Sequence, residues 1–172
     1  MDFLELARAR YSVRHFEKRP IEEETLQKIL TAAQLAPTAL NKQPQKLFVL
    51  RSEEALRKIR RATPYTHNAP VVILIGYDEE AEWKHPMEEG FHSGWMDASI
   101  AGTHMMLEAA DLGVGSCWVT GFSPSTVRSL FHIPKNIKLC CLLALGYPTE
   151  ASHPSSKYHE PTKSLDEICS FL

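Results

Sequence analysis

Between positions 10 and 14 the chain sets two guanidiniums and a hydroxyl within five residues, Arg10-Tyr11-Ser12-Val13-Arg14. In an extended segment Arg10, Ser12 and Arg14 alternate onto one face, and Tyr11 and Val13 onto the other. Two fork-shaped cations on one face can grip a dianion through several charge-assisted bonds, with the hydroxyl left for an attached polyol. The same residues also read as a solvated basic loop. A second segment, Asn41-Lys42-Gln43-Pro44, offers two side-chain amides, each able to donate and accept at the edge of a flat heterocycle. Asn and Pro are equally ordinary turn residues. A third segment runs from Gly113 to Gly121 as Gly-Val-Gly-Ser-Cys-Trp-Val-Thr-Gly. It is a glycine-rich turn into an apolar strand, where backbone N–H groups can approach a ring closely. Its glycine spacing is not that of a dinucleotide fingerprint, and it leads from helix to strand rather than the reverse.

The elements that must position these groups follow from periodicity and punctuation. Asp2 to Ala9 reads as a short helix. Pro20-Ile21-Glu22 opens a second, with Leu26, Ile29, Leu30, Ala33 and Leu35 at helical spacing and Pro37 as its stop. Leu47 to Leu50 is a strand, Glu53 to Arg61 an exposed basic helix, and Pro70 to Tyr77 a buried strand. Asp97 to Leu112 is a long, weakly polar helix ended by Gly113. Ser116 to Val119 is a strand, Ser123 to Leu130 a helix capped by its serine, and Ile137 to Leu145 a strand. Helices alternating with about four short strands give an α+β sandwich, a sheet covered by helices on both sides. The Asp97–Leu112 helix is apolar or small around most of its circumference, so it is either central or buried against a second subunit.

A phosphate, a polyol and a planar ring with mixed donors and acceptors describe FMN. In order and spacing the three segments resemble the nitroreductase family of FMN-dependent oxidoreductases, over Phe3 to about Tyr147. The resemblance implies a three-layer sandwich with a mostly antiparallel sheet, and an intertwined homodimer with the Asp97–Leu112 helix in its interface. It implies that Arg10, Tyr11, Ser12 and Arg14 hold the FMN phosphate and ribityl chain. Pro37, Thr38, Ala39, Asn41 and Gln43 are implied to complete the flavin site of the opposite subunit, with Asn41 at the pyrimidine edge. Cys117, Trp118, Val119, Thr120 and Gly121 are implied to run beside the central ring, a backbone N–H at Thr120 or a neighbour donating to flavin N5. Lys157 and His159, with Lys163 as the alternative, match the family's C-terminal basic residues as a third cation at the phosphate.

The implied activity is hydride transfer from NADH or NADPH to the flavin, followed by reduction of a small-molecule acceptor such as a nitroaromatic, quinone or enone. The cofactor carries that chemistry, so no acid–base residue of the chain is required. The chain departs from the family's pattern at Ala39, where a hydroxyl residue is frequent, and at Gln45, where an aromatic often follows. Thr120 stands where some members carry an acidic residue. The alternative reading is a flavin-binding or redox-sensing protein with little turnover.

At 172 residues the chain suits one domain, residues 1–172, with 44% hydrophobic and 23% charged residues. A net charge of −2 gives no nucleic-acid footprint. The longest apolar run, Leu139 to Gly146, is too short to span a bilayer, and Met1 to Phe16 has no apolar segment of a secretory leader. The four cysteines, Cys117, Cys140, Cys141 and Cys169, form no C-x-x-C pair and read as reduced thiols of a cytoplasmic protein. Cys140 and Cys141, adjacent in a strand, are expected on opposite faces. The eight histidines show no zinc-helix spacing, so no metal is expected. No G-x-S-x-G elbow is present for hydrolysis. Trp83 to Phe91, with Gly94-Trp95 beyond it, is a polar, aromatic-bearing excursion, either a surface loop or a lid over the flavin. Pro148 to Pro161 is a loop-like tail.

Overall fold

The computed structural model describes residues 2–172, so Met1 lies outside the described residues. Two strands, β2 (Val71–Asp78) and β4 (Ile137–Gly146), are buried at nearly every position. A strand apolar at every position needs cover on both faces. Their neighbours are β1 (Gln45–Leu50) and β3 (Gly115–Val119), in the order β1-β2-β4-β3. Every pairing is antiparallel.

Helices supply the two covers. On one face, α2 (Glu23–Leu35) and α4 (Gly94–Asp111) bring Leu26, Ile29, Ala101 and Met105 onto Ile73, Ile75 and Leu143. On the other, α3 (Glu53–Ile59) and α5 (Pro124–Phe131) bring Leu56, Ile59 and Val127 onto Val72, Leu74 and Leu142. This is the α+β three-layer sandwich that the pattern of elements foretells. A short α1 (Phe3–Ala9) precedes them, closed by a capping box between Asp2 and Glu5. A single-turn α6 (Leu165–Ile168), not expected from the sequence, follows the tail.

Two expectations need correction. The register of β4 against β2 slips between Ile75, which faces Cys141, and Gly76, which faces Leu139. Cys140 is the extra residue, and a bulge interrupts the period-2 alternation. Cys140 and Cys141 therefore both join the core on the α4 side instead of opposite faces. The long helix also starts earlier than read, at Gly94 with Ser93 as its cap residue, and Asp97 sits inside its first turn. Within one chain α4 buries a single face, with Ala98, Ala101, Met105 and Ala109 inward. Trp95, Met96 and Ile100 remain exposed, so the helix is not a central one.

Candidate functional site

The Arg10–Arg14 segment becomes extended because it is stitched to the sheet. Val13 N–H donates to the Ser116 carbonyl at 2.9 Å, and Ser12 bridges Ser116 in parallel along the free edge of β3. Further on, Glu17 N–H donates to the Tyr147 carbonyl at 2.8 Å and Thr149 N–H to the His15 carbonyl at 3.0 Å. Val13 is fully buried against Gly115, where a side chain would collide with it. The alternation read from the sequence follows. Arg10, Ser12 and Arg14 line one polar concavity together with Ser155, Tyr158 and His159. Ser12, Arg14, Ser155 and Tyr158 also line a larger cavity of about 530 Å³, shared with His15, Ser152 and Glu160. Tyr11 turns to the tail, its hydroxyl donating to the Ser152 carbonyl at 3.1 Å and its ring meeting that of His159 edge-on at 6.4 Å. His159 is thus brought to the arginines. Lys157 is not among those lining residues, and its ammonium lies 5.1 Å from the Tyr158 ring.

At the far end of β3, Cys117 and Val119 are buried in the core under α5, while Trp118 points to the other face, against Gly102 of α4. Burial pushes the Cys117 thiol up, partly opposed by the positive field of Arg14. Thr120 and Gly121 emerge exposed beyond the strand. Two residues that the sequence reading passed over, Thr63 and Tyr65, stand beside this segment, and a third, His67, feels the charge of Arg14. The Thr63 hydroxyl donates to the Gly121 carbonyl at 2.6 Å, and the Tyr65 ring lies against Gly121, within 2.9 Å of where a side chain would begin. Burial first, then the charges of Arg14 and His15, hold His67 below the usual histidine range. The Pro64–Pro70 stretch that follows Thr63 and carries Tyr65 and His67 is bounded by prolines and holds two left-handed residues, His67 and Asn68. That punctuation was the signal available.

The Pro37–Pro44 segment lies elsewhere, between α2 and β1. Its residues are absent from both cavities lined by Arg14. Leu40, Asn41 and Gln43 all adopt left-handed backbone, at φ 50°, 54° and 49°. The loop closes on itself, Gln43 N–H donating to Thr38 Oγ1 at 3.0 Å and Gln43 Nε2 to the Asn41 carbonyl at 3.3 Å. Asn41 and Gln43 are exposed. Gln45, in β1, donates through Nε2 to the Ala33 carbonyl at 3.4 Å, tying the loop's exit to α2.

The sequence profile of the nitroreductase family matches residues 7–64 and 61–147. The chain belongs to the nitroreductase family. A relative from Methanothermobacter thermautotrophicus, provisionally named NADH dehydrogenase/NAD(P)H nitroreductase, is 38% identical over 159 residues, 87% of this chain and 79% of that one. The crystal structure of a nitroreductase family protein from Clostridium difficile 630 matches with a TM-score of 0.93 at 36% identity, over 99% of this chain and 98% of that one. A protein from Exiguobacterium sibiricum 255-15, solved in complex with FMN, matches with a TM-score of 0.84 over 100% and 98% of the two chains. At 21% identity that likeness is one of fold.

The donor set of this nitroreductase-family chain fits a flavin phosphate. Arg10, Arg14 and His159 bring cationic or protonatable nitrogen, and Ser12, Ser155 and Tyr158 bring hydroxyls, to one concavity. Glu160, in the larger cavity, is the carboxylate nearest in sequence to that set. Among the described residues no group of three or more His, Cys, Asp or Glu is arranged to hold a metal ion. No helix among them is long and apolar enough to cross a membrane.

Proposed function

We propose that this chain is an FMN-dependent oxidoreductase, that two copies form its working unit, and that NADH or NADPH supplies electrons for a small-molecule acceptor. Nitroaromatics, quinones and enones are the acceptor classes. The observation that carries the reading is the concavity on the free edge of β3, where Arg10, Ser12, Arg14 and His159 converge in a nitroreductase-family fold. The relative named for NADH dehydrogenase and nitroreductase activity supports the reductant, and the fold neighbour solved with FMN supports the cofactor.

Bound FMN supplies hydride chemistry at N5, between reduced nicotinamide and acceptor. The chain's own residues bind and orient. Arg10 and Arg14 neutralise the phosphate, while Ser12 and the tail hydroxyls take the polyol. Thr120 and Gly121, exposed beyond the end of β3, are the proposed source of a backbone donor to a ring nitrogen. Asn41 and Gln43 of a second copy offer amides to the ring's far edge. Exposed Phe3, Leu4, Leu35, Met96 and Ile100 supply apolar surface for that second copy to cover. The buried thiols of Cys117, Cys140 and Cys141 fit a reducing cytoplasm.

The test is a purification followed by an anaerobic titration. The protein emerges yellow, scatters light as twice the 19.4 kDa chain, and bleaches when NADH or NADPH is added. Colour without bleaching makes it a flavin binder instead, and a flavin-loaded monomer overturns the shared site.

A further inference from the structure

Asp97 lies in the first turn of α4, 2% exposed, and both its carboxyl oxygens are engaged. Oδ1 accepts from the Ala39 backbone N–H at 3.0 Å, across 58 residues of sequence. Oδ2 accepts from the Ser93 hydroxyl at 2.7 Å. Ser93 is also the base of the Trp83–Ser93 excursion. Its Oγ accepts from Trp83 N–H at 3.2 Å, and its own N–H donates to the Trp83 carbonyl at 3.0 Å. Buried Glu82 closes the same corner, Oε2 accepting from Gly94 N–H at 3.1 Å and Oε1 standing 3.4 Å from His92 Nδ1. The helix N-terminus favours both carboxyls.

The loop held by Oδ1 is the one with three left-handed non-glycine residues, Leu40, Asn41 and Gln43. Such backbone persists only where its surroundings over-determine it. The Thr38–Gln43 and Gln43–Asn41 hydrogen bonds fix the loop's internal shape. They do not fix where the loop sits relative to α4 and the sheet. The Asp97–Ala39 bond ties its start to α4, while the Asp78 N–H, donating to the Pro44 carbonyl at 2.9 Å, ties its end to β2.

We propose that Asp97 is a positioning residue for the Asn41–Gln43 loop. Its carboxyl clamps Ala39 and the base of the Trp83–Ser93 excursion to one point at the start of α4, so that loop and excursion move as a unit. What the loop faces rests on the proposed function: the flavin edge of a second copy. The clamp itself does not.

Two arms keep these apart. Amide hydrogen exchange on the flavin-free protein reads the clamp, and FMN titration with the visible spectrum of the bound flavin reads its function. Asp97→Ala speeds exchange at Ala39 to Gln43 by about tenfold or more, with β2 and β4 amides still slow. It also raises the FMN Kd by roughly tenfold and shifts the visible band, because a displaced loop no longer meets the ring edge. Asp97→Asn keeps an acceptor for Ala39 and a polar contact to Ser93, and so restores most of both signals. If Asp97→Ala does not fold, Ala39→Pro removes the donor from the other side. Thr38, at φ −135° and ψ 157°, already has the backbone that precedes proline. Exchange unchanged in these variants overturns the clamp. Faster exchange with unaltered FMN affinity and spectrum overturns the positioning role. If the unaltered protein binds no FMN, the proposed function and the positioning role both fail, and the exchange arm alone decides on the clamp.

Discussion

Replacing Arg14 with alanine isolates the phosphate from everything else the site is expected to do. Arg14 is exposed, and its described hydrogen bond is local, to the Ser12 carbonyl at 3.2 Å. Folding therefore loses little, within about 0.5 kcal/mol for an exposed side chain away from the core. Ligand binding loses more. A hydrogen bond to a charged group contributes about 1.5–3 kcal/mol, and solvent around Arg14 screens it toward the lower end. A loss of about 1.5–2 kcal/mol corresponds to a rise in Kd of roughly ten- to thirtyfold. The assay is quenching of flavin fluorescence on titration, run with FMN and with riboflavin, which has the same ring and polyol but no phosphate. Arg14→Ala weakens FMN by that factor and leaves riboflavin nearly untouched. FMN binding to the unaltered protein also falls more steeply with salt than binding to the variant. An unchanged FMN Kd, or an equal loss for both ligands, refutes the assignment of Arg14 to the phosphate.

Three other perturbations probe the surroundings. Gly102→Ala starts a side chain 2.6 Å from the Trp118 ring and 3.1 Å from Ile75 Cδ1. The overlap costs about 1–3 kcal/mol, more than the roughly 1 kcal/mol that alanine gains over glycine in a helix. The denaturation midpoint therefore drops at constant slope, and an unchanged midpoint means α4 does not press on β3 as described. Cys117→Ser keeps most NADPH oxidation, because burial holds that thiol up and unreactive; an inactive variant that is still folded and yellow brings the thiol into the mechanism. His67 has a folded pKa below its ordinary 6.5. The unfolded chain takes up that proton first, so stability is full above about pH 6.5 and declines as pH falls toward the folded value. His67→Gln flattens that part of the acid limb of a Tm–pH curve, and identical limbs in the two proteins rule His67 out as its source.

The sheet, its covering helices and the helix order were legible because burial on both faces demands predominantly apolar runs; Pro70–Tyr77 is one, and Ile137–Leu145 is another but for Lys138. The arginine face was legible because alternation needs only an extended backbone, which the Val13–Ser116 bond provides. Other features depend on contacts between positions far apart in sequence. The period-2 argument for Cys140 and Cys141 presumes an uninterrupted ladder, and the bulge opposite Gly76 breaks it. Asp97 reads as the start of the long helix, whereas it lies inside the first turn. Its engagement with Ala39 could not be seen from its neighbours, which include another eligible cap residue in Ser93. The sequence could not say which of the basic residues of the tail, Lys157, His159 or Lys163, comes near the arginines, because that depends on the tail's path; the Tyr11–Ser152 hydrogen bond folds Ser155–His159 back so that His159 lines their concavity.

The sheet order also bears on why the proposed site is divided. The Asn41–Pro44 loop runs directly into β1, and the Arg10–Arg14 segment lies along β3. These strands are opposite edges of the sheet, with β2 and β4 between them. Three inter-strand spacings of about 4.8 Å separate the edges by roughly 14 Å, before the sheet's twist turns them further apart. The left-handed backbone at Leu40, Asn41 and Gln43 and the clamp at Asp97 fix the loop on its own side. Neither segment can cross to the other without breaking those bonds. Under the proposed function, a ligand that uses the cations at one edge and the amides at the other draws them from two copies of the chain. In that proposal the apolar side chains left exposed on α1 and α4 are the surface through which a second copy brings its loop within reach.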